Sequence, residues 1–184
     1  MTALSSRTVA DLFAEASAHA TPGGGAVTIL AGYLGVSLIM KALRVSSRKK
    51  PDARILIQVA ADMEAAAPKL ARFADADNES FQAYLDAAKL PKDSQQEAAA
   101  RKAGLSAAAE QAALAAIEAF ELGRLLIDRA RAAEPDVASV IRADITAGIQ
   151  LLGAMCVVAK ENAEANLPGI ADQSRRTALA ARLG

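Results

Sequence analysis

The sequence predicts an all-α protein, and three observations carry that reading. Alanine dominates, aromatic residues make up only 3% of the chain, and tryptophan is absent. Small, unbranched side chains favour helices and let them pack closely. Long stretches without proline or glycine, joined by short turn signals and no linker-like shift in composition, give an up-and-down bundle of about five long helices with a short C-terminal helix. At 184 residues the chain reads as one domain spanning 1–184.

The elements follow in order. Thr8 with Asp11 reads as a capping box, which starts a first helix over 8–20 with Leu12 and Phe13 facing inward. Thr21-Pro22-Gly23-Gly24-Gly25 ends it. The second helix is expected over 26–47, apolar on almost every side up to Lys41, which implies a central position. Gly32 and Gly35 would let a neighbour approach its axis. Pro51 and Asp52 begin a third helix reaching Ala88, with a kink or short break expected at Pro68. Leu90-Pro91-Lys92-Asp93 is a turn, and Ser94 with Glu97 forms a capping box for a fourth helix ending near Ala133. Pro135 suits the first turn of a fifth helix, which continues to Asn166 until Leu167-Pro168-Gly169 stops it. A short tail helix finishes the chain.

Composition narrows the function classes. The 21 basic and 21 acidic residues are scattered rather than blocked, so neither nucleic acid nor an anionic membrane is an expected partner. The single cysteine, Cys156, lies in an apolar segment and is read as a small packed hydrophobe, which fits the cytoplasm. No signal peptide is visible, and Ala26 to Met40 looks too short and too polar to span a bilayer, so the chain is read as soluble. His19 is the only histidine, which excludes a multi-histidine metal site, and no CxxC, HExxH, GxGxxG or P-loop spacing supports a prosthetic group.

The candidate chemistry lies elsewhere. Three glycines after a proline, opening into an apolar helix, keep the backbone bare where helix N–H groups are unpaired, and this suits an anion or a carbonyl oxygen. A plain inter-helix turn is the other reading of the same residues. Asp75 and Asp77 sit in the third helix just before Asn78-Glu79-Ser80-Phe81. Asp144 interrupts an otherwise apolar stretch between Val140-Ile141 and Ile145. Facing inward it would have to be paired, hydrogen-bonded or raised in pKa, any of which suits proton transfer; facing outward it would be ordinary. Asn162 and Asn166 are one turn apart and could converge on one ligand, or could mark an exposed helix end.

Thr21-Pro22-Gly23-Gly24-Gly25, followed by Ala31-Gly32, Gly35 and Arg44-Val45-Ser46, resembles the signature of the formimidoyltetrahydrofolate cyclodeaminase and methenyltetrahydrofolate cyclohydrolase family. Asp77-Asn78-Glu79-Ser80-Phe81, Ala88-Lys89-Leu90-Pro91-Lys92, Ala143-Asp144 and the pair Asn162 and Asn166 resemble later elements of that family in the same order. The resemblance covers nearly the whole chain. It departs at Ala115-Ala116, where a Val-Pro is expected, at Ala143, where a serine is expected, and at Val140, where an asparagine is expected.

The resemblance implies an all-helical homodimer that binds a tetrahydrofolate derivative as substrate, near the subunit interface and without a metal. Asp144 and Asp77 would be its acid–base group, with Asn162 and Asn166 orienting pterin or water. The glycine turn, Thr21 to Gly25, would supply backbone N–H groups, and Arg44, Arg48 or Lys49 would meet the carboxylates of the glutamyl tail. Hydrolysis of 5,10-methenyltetrahydrofolate to 10-formyltetrahydrofolate is the expected reaction, because the chain shows no formimidoyltransferase domain. Cyclodeamination of formimidoyltetrahydrofolate, or a non-catalytic folate-binding or dimeric interaction role, is the alternative.

Overall fold

Four long helices form the body of the structure, a computed structural model that describes residues 3–184. Around them lie two short ones. In chain order the helices are α1 (Val9–Ala18), α2 (Gly24–Lys49), α3 (Arg54–Ala88), α4 (Gln95–Ala133), α5 (Arg142–Asn166) and α6 (Gln173–Ala180), and among the described residues there is no strand. The long helices close a ring in which α2 packs on α3 and α5, and α4 packs on the same two. Short connections make neighbours antiparallel, so the bundle runs up and down as the sequence implies.

Capping explains several boundaries. The Ser94 hydroxyl accepts from the Glu97 N–H while the Ser94 N–H donates to the Glu97 carboxylate, a complete capping box at the start of α4. Thr8 caps α1 by accepting from the Asp11 N–H at 3.1 Å. Asp172, which accepts from Ser174 and Arg175, starts α6, and Leu179 of that helix is buried in the core. The core is largely alanine, isoleucine and leucine drawn from all four long helices. At its middle a β-carbon on Gly35 would lie 2.8 Å from the Gly148 carbonyl oxygen, and one on Gly148 would lie 2.5 Å from that of Gly35. Helices α2 and α5 therefore touch backbone to backbone, an approach any side chain at either position would prevent.

The structure corrects several expectations. Phe13 points outward and is 77% exposed, and α1 buries no residue. Adjacent helical residues diverge by about 100°, so the helix that rests Leu12 on the core turns Phe13 away. Helix α2 begins at Gly24, with Gly24 and Gly25 inside its first turn, and it is not enclosed on all sides because Leu34 is 54% exposed. Helix α3 runs unbroken through Pro68. Glu64 and Pro68 are both exposed, so the partner that the Glu64 carbonyl loses at Pro68 can be replaced by water. Pro135 belongs to a separate 3-10 turn, Glu134–Asp136, and a second turn, Ser139–Ile141, precedes α5, which starts only at Arg142. By length and composition alone α2 and the stretch Ser139–Gly169 are long and apolar enough to cross a bilayer, so the expectation that the apolar run falls short does not hold. In this fold both are packed as bundle helices.

Candidate active site

The antiparallel order brings the N-terminus of α2, the C-terminal parts of α3 and α5, and the first half of α4 to one end of the bundle. A cavity of about 510 Å³ opens there, with Gly23, Gly24 and Gly25 on one wall and Asp77, Asn162 and Asn166 on the others. The two polar walls follow helical stripes. Asp77, Ser80, Phe81 and Tyr84 of α3 stand at i, i+3, i+4 and i+7, and Asn162, Ala165 and Asn166 stand at i, i+3 and i+4 at the end of α5, with Gly169 in the 3-10 turn Leu167–Gly169 that follows. Ala108, Ala109 and Ala112 of α4 complete the wall, and their small side chains leave the space open.

The glycines act here by close approach and not by unusual backbone geometry. No residue of the described chain has positive φ, glycine included. A β-carbon on Gly25, however, would lie 2.4 Å from Asn162 Nδ2 and 2.5 and 2.6 Å from the two oxygens of Asp77. The side chains of α3 and α5 thus close onto the bare backbone of α2. The first helical bond of α2 runs from the Val27 N–H to the Gly23 carbonyl, which leaves the N–H groups of Gly24, Gly25 and Ala26 without helical partners. The Ala26 N–H faces the Asp77 carboxylate.

Burial pushes the Asp77 carboxyl above its ordinary value, and the Ala26 N–H opposes that shift without cancelling it. The result is a carboxyl group that holds its proton more readily than an exposed aspartate, beside two amides and the positive end of a helix. Asn166 donates its amide N–H to the Asn162 carbonyl at 2.8 Å, which fixes its orientation and leaves its own carbonyl oxygen for a ligand. Ser80, 3% exposed, donates to the Asp77 carbonyl and locks that turn of α3. Phe81 and Tyr84 keep 40% and 44% of their surface exposed at the cavity, a large apolar area for a ring to stack on.

Not all of the sequence candidates meet. Asp77, Asn162, Asn166 and the three glycines do; Thr21 and Pro22, joined by a cis peptide, sit just behind them without lining the cavity. Asp144 and Arg44 lie at the opposite end of the bundle. Asp144 is eighteen residues before Asn162 on the same helix, about 27 Å away. There the Lys41 ammonium stands 2.6 Å from Asp144 Oδ2, off the direction of a hydrogen bond, as a charge pair. Arg44 pairs with Glu64 at 3.0 Å, and Arg48 with Lys49 belongs to the exposed end of α2. Asp75 accepts from the Leu4 N–H at 2.8 Å and ties the N-terminal segment to α3. His19 is exposed at the end of α1.

Sequence reasoning missed Tyr84, Ser80 and the alanine wall. The signal for Tyr84 was its i+7 spacing from Asp77; the alanines carry none, since only the packing shows that they border empty space. The three departures from the family pattern lie away from the cavity. Ala115 and Ala116 are core residues of α4, while Val140 is 73% exposed and Ala143 is exposed at the far end. Among the described residues no three histidine, cysteine, aspartate or glutamate side chains gather as a metal site.

Comparison with known proteins gives the family and the fold. Residues 8–184 match the family described as formiminotransferase-cyclodeaminase. The crystal structure of formiminotetrahydrofolate cyclodeaminase from Thermotoga maritima superposes with a TM-score of 0.77 at 24% identity, covering 95% of this chain and 83% of that one, and so shares the fold. No curated protein sequence matches the chain.

Proposed function

Because the chain belongs to the formiminotransferase-cyclodeaminase family of folate one-carbon metabolism, we propose that the cavity beside Gly25 binds a tetrahydrofolate carrying a one-carbon unit and closes it into the methenyl bridge with loss of ammonia. One observation carries this reading. Asp77, its carboxyl raised in pKa by burial, lies with Asn162 against the open amino end of α2. Pterin and the one-carbon unit would enter between the Gly23–Gly25 backbone and the two asparagines, with the aromatic ring of the substrate on Phe81 and Tyr84.

The chemistry needs a group that moves one proton between two nitrogens. N10 attacks the formimidoyl carbon of the cationic substrate to give a tetrahedral adduct. Asp77 takes the proton from N10 and hands it to the amino group, ammonia leaves, and the positive charge remains on the methenyl product. Holding N10 close to the carbon is the larger part of the acceleration, since the step is intramolecular once the substrate is bent. Asn162 and Asn166 would hold the pterin edge, and the free N–H groups of Gly24 and Gly25 a carbonyl oxygen.

Hydrolysis of the methenyl bridge is the second reading, favoured by the same free N–H groups, which suit the oxygen of the tetrahedral adduct and of the formyl group formed from it. Exposed Val27, Leu34 and Val157 on α2 and α5 support a homodimer, and sedimentation would read it directly. A cytoplasmic enzyme working without a prosthetic group completes the proposal.

Incubating the protein separately with formimidoyltetrahydrofolate and methenyltetrahydrofolate tests both reactions. Ammonia release with methenyl absorbance appearing supports cyclodeamination. Accelerated decay of the methenyl absorbance alone would replace it with hydrolysis, and neither would leave a binding or interaction protein.

A further inference from the structure

Helix α1 is the least supported helix of the fold, and it is fastened to the cavity at both ends. On its amino side Leu4 is buried, and its N–H donates at 2.8 Å to Asp75, two residues before Asp77 on α3. On its carboxyl side Ala20 and Gly23 line the cavity itself. Between these fastenings α1 buries no residue, and of its apolar side chains only Leu12 rests on the core. Val9 and Phe13, one turn apart on one face, are each 77% exposed. The connection to α2 is loose. Between the His19 N–H, which donates to Glu15, and the Val27 N–H, which donates to Gly23, no backbone N–H donates to a backbone carbonyl among the described residues. The Thr8 cap and the Arg7–Glu15 ion pair nevertheless hold α1 together, so it can move as one piece.

The cavity has an unmatched apolar surface of its own in Phe81 and Tyr84. One opening thus carries two exposed apolar surfaces, and one of them sits on a helix hinged at its rim. A ten-residue helix is about 15 Å long, which exceeds the width of a cavity of about 510 Å³. Resting on the folate reading above, we infer that α1 is a strap that closes over the loaded cavity and turns Val9 and Phe13 onto the bound molecule beside Phe81 and Tyr84. A roll of α1 about its own axis suffices while both fastenings stay in place, because Phe13 stands about 100° round the helix from Leu12. Closure serves the chemistry. The methenyl product is a cation open to attack by water, so a cover that excludes water favours ring closure over hydrolysis.

The chain has no tryptophan, so Phe13→Trp places a single fluorescent reporter on the strap. Its emission should be that of an exposed indole in the ligand-free protein. When 5-formyltetrahydrofolate, a stable reduced folate, saturates the cavity, the emission should move to shorter wavelength and become shielded from acrylamide. Val9→Ser/Phe13→Ser should weaken binding of the same probe about tenfold in calorimetric titration, through apolar burial forgone in the closed state. The thermal midpoint of the ligand-free variant should stay close to wild type, because both residues are exposed there. An indole that stays exposed at saturation, or unchanged affinity in the double variant, would overturn the strap while leaving the folate cavity standing. Loss of a ligand-free dimer in the double variant, read by sedimentation, would show that this edge covers a second copy instead and also overturn it. Failure of the probe to bind the wild type would refute the folate reading, and the strap with it.

Discussion

Asp77 and Asn162 meet across the place where a side chain of Gly25 would be: a β-carbon there would lie 2.5 Å from Asp77 Oδ1 and 2.4 Å from Asn162 Nδ2. The relationship joins three helices at one point. It gives the triple glycine a reason that turn formation does not, because Gly24 and Gly25 are ordinary helical residues by their dihedrals. Gly25 is bare so that two polar side chains can reach the helix end.

Gly25→Ala should therefore cost activity more than stability. The added methyl must displace Asp77 or Asn162, and a shift of this size costs on the order of a hundredfold in kcat/KM. Better helix propensity partly offsets the crowding, so the thermal midpoint should move little. Gly153→Ala is the control, since nothing lies within 4 Å of a β-carbon there. It should raise stability by about 0.5–1 kcal/mol and leave turnover unchanged.

The two aspartates should behave differently. Asp77→Asn keeps the shape and removes the proton carrier, so kcat should fall by roughly a hundredfold to ten-thousandfold with ligand binding largely kept. Asp144→Asn removes only a partly exposed pair with Lys41 and should cost at most about 1 kcal/mol of stability. Steady-state kinetics on both variants checks this. Loss of turnover in the Asp144 variant would mean that a second copy brings its far end to the cavity.

The raised pKa of Asp77 has a signed effect on stability. The folded state holds the proton more tightly than the unfolded chain, so the protonated carboxyl favours folding, fully below the ordinary value of 3.8. That contribution is lost as pH rises from 3.8 through the raised folded value, above which the buried charge is a constant cost. Asp77→Asn should thus be more stable than the wild type at neutral pH, and the difference should shrink on acidification. Denaturant titrations of both proteins at several pH values measure it; a difference that grows toward acid would contradict it.

Cys156 should be inert. It is buried, its Sγ points toward the Phe120 carbonyl at 3.8 Å, and burial pushes the thiol up to about 11. The reactive thiolate is therefore scarce at neutral pH and shielded from solvent. A maleimide should label the native protein slowly and the denatured protein quickly.

The sequence alone determined the helices and their order, because alanine richness, capping residues such as Ser94 with Glu97, and stops such as Leu167-Pro168-Gly169 act within a few residues. It also placed Asp77, Asn162 and the glycines among the candidates, through spacing and through the family resemblance. The tertiary structure decided which candidates share a site. Helical spacing fixes a residue's face and height along its own helix, but only the antiparallel packing sets which ends come together. That packing joins Gly25, Asp77 and Asn162 and carries Asp144 and Arg44 to the far end. It likewise decided that Ala108, Ala109 and Ala112 border a cavity and that Lys92, Arg101, Lys102 and Arg176, scattered over two helices and a turn, form one basic groove. Empty space and summed charge belong to the packed bundle, and no local pattern of residues encodes them.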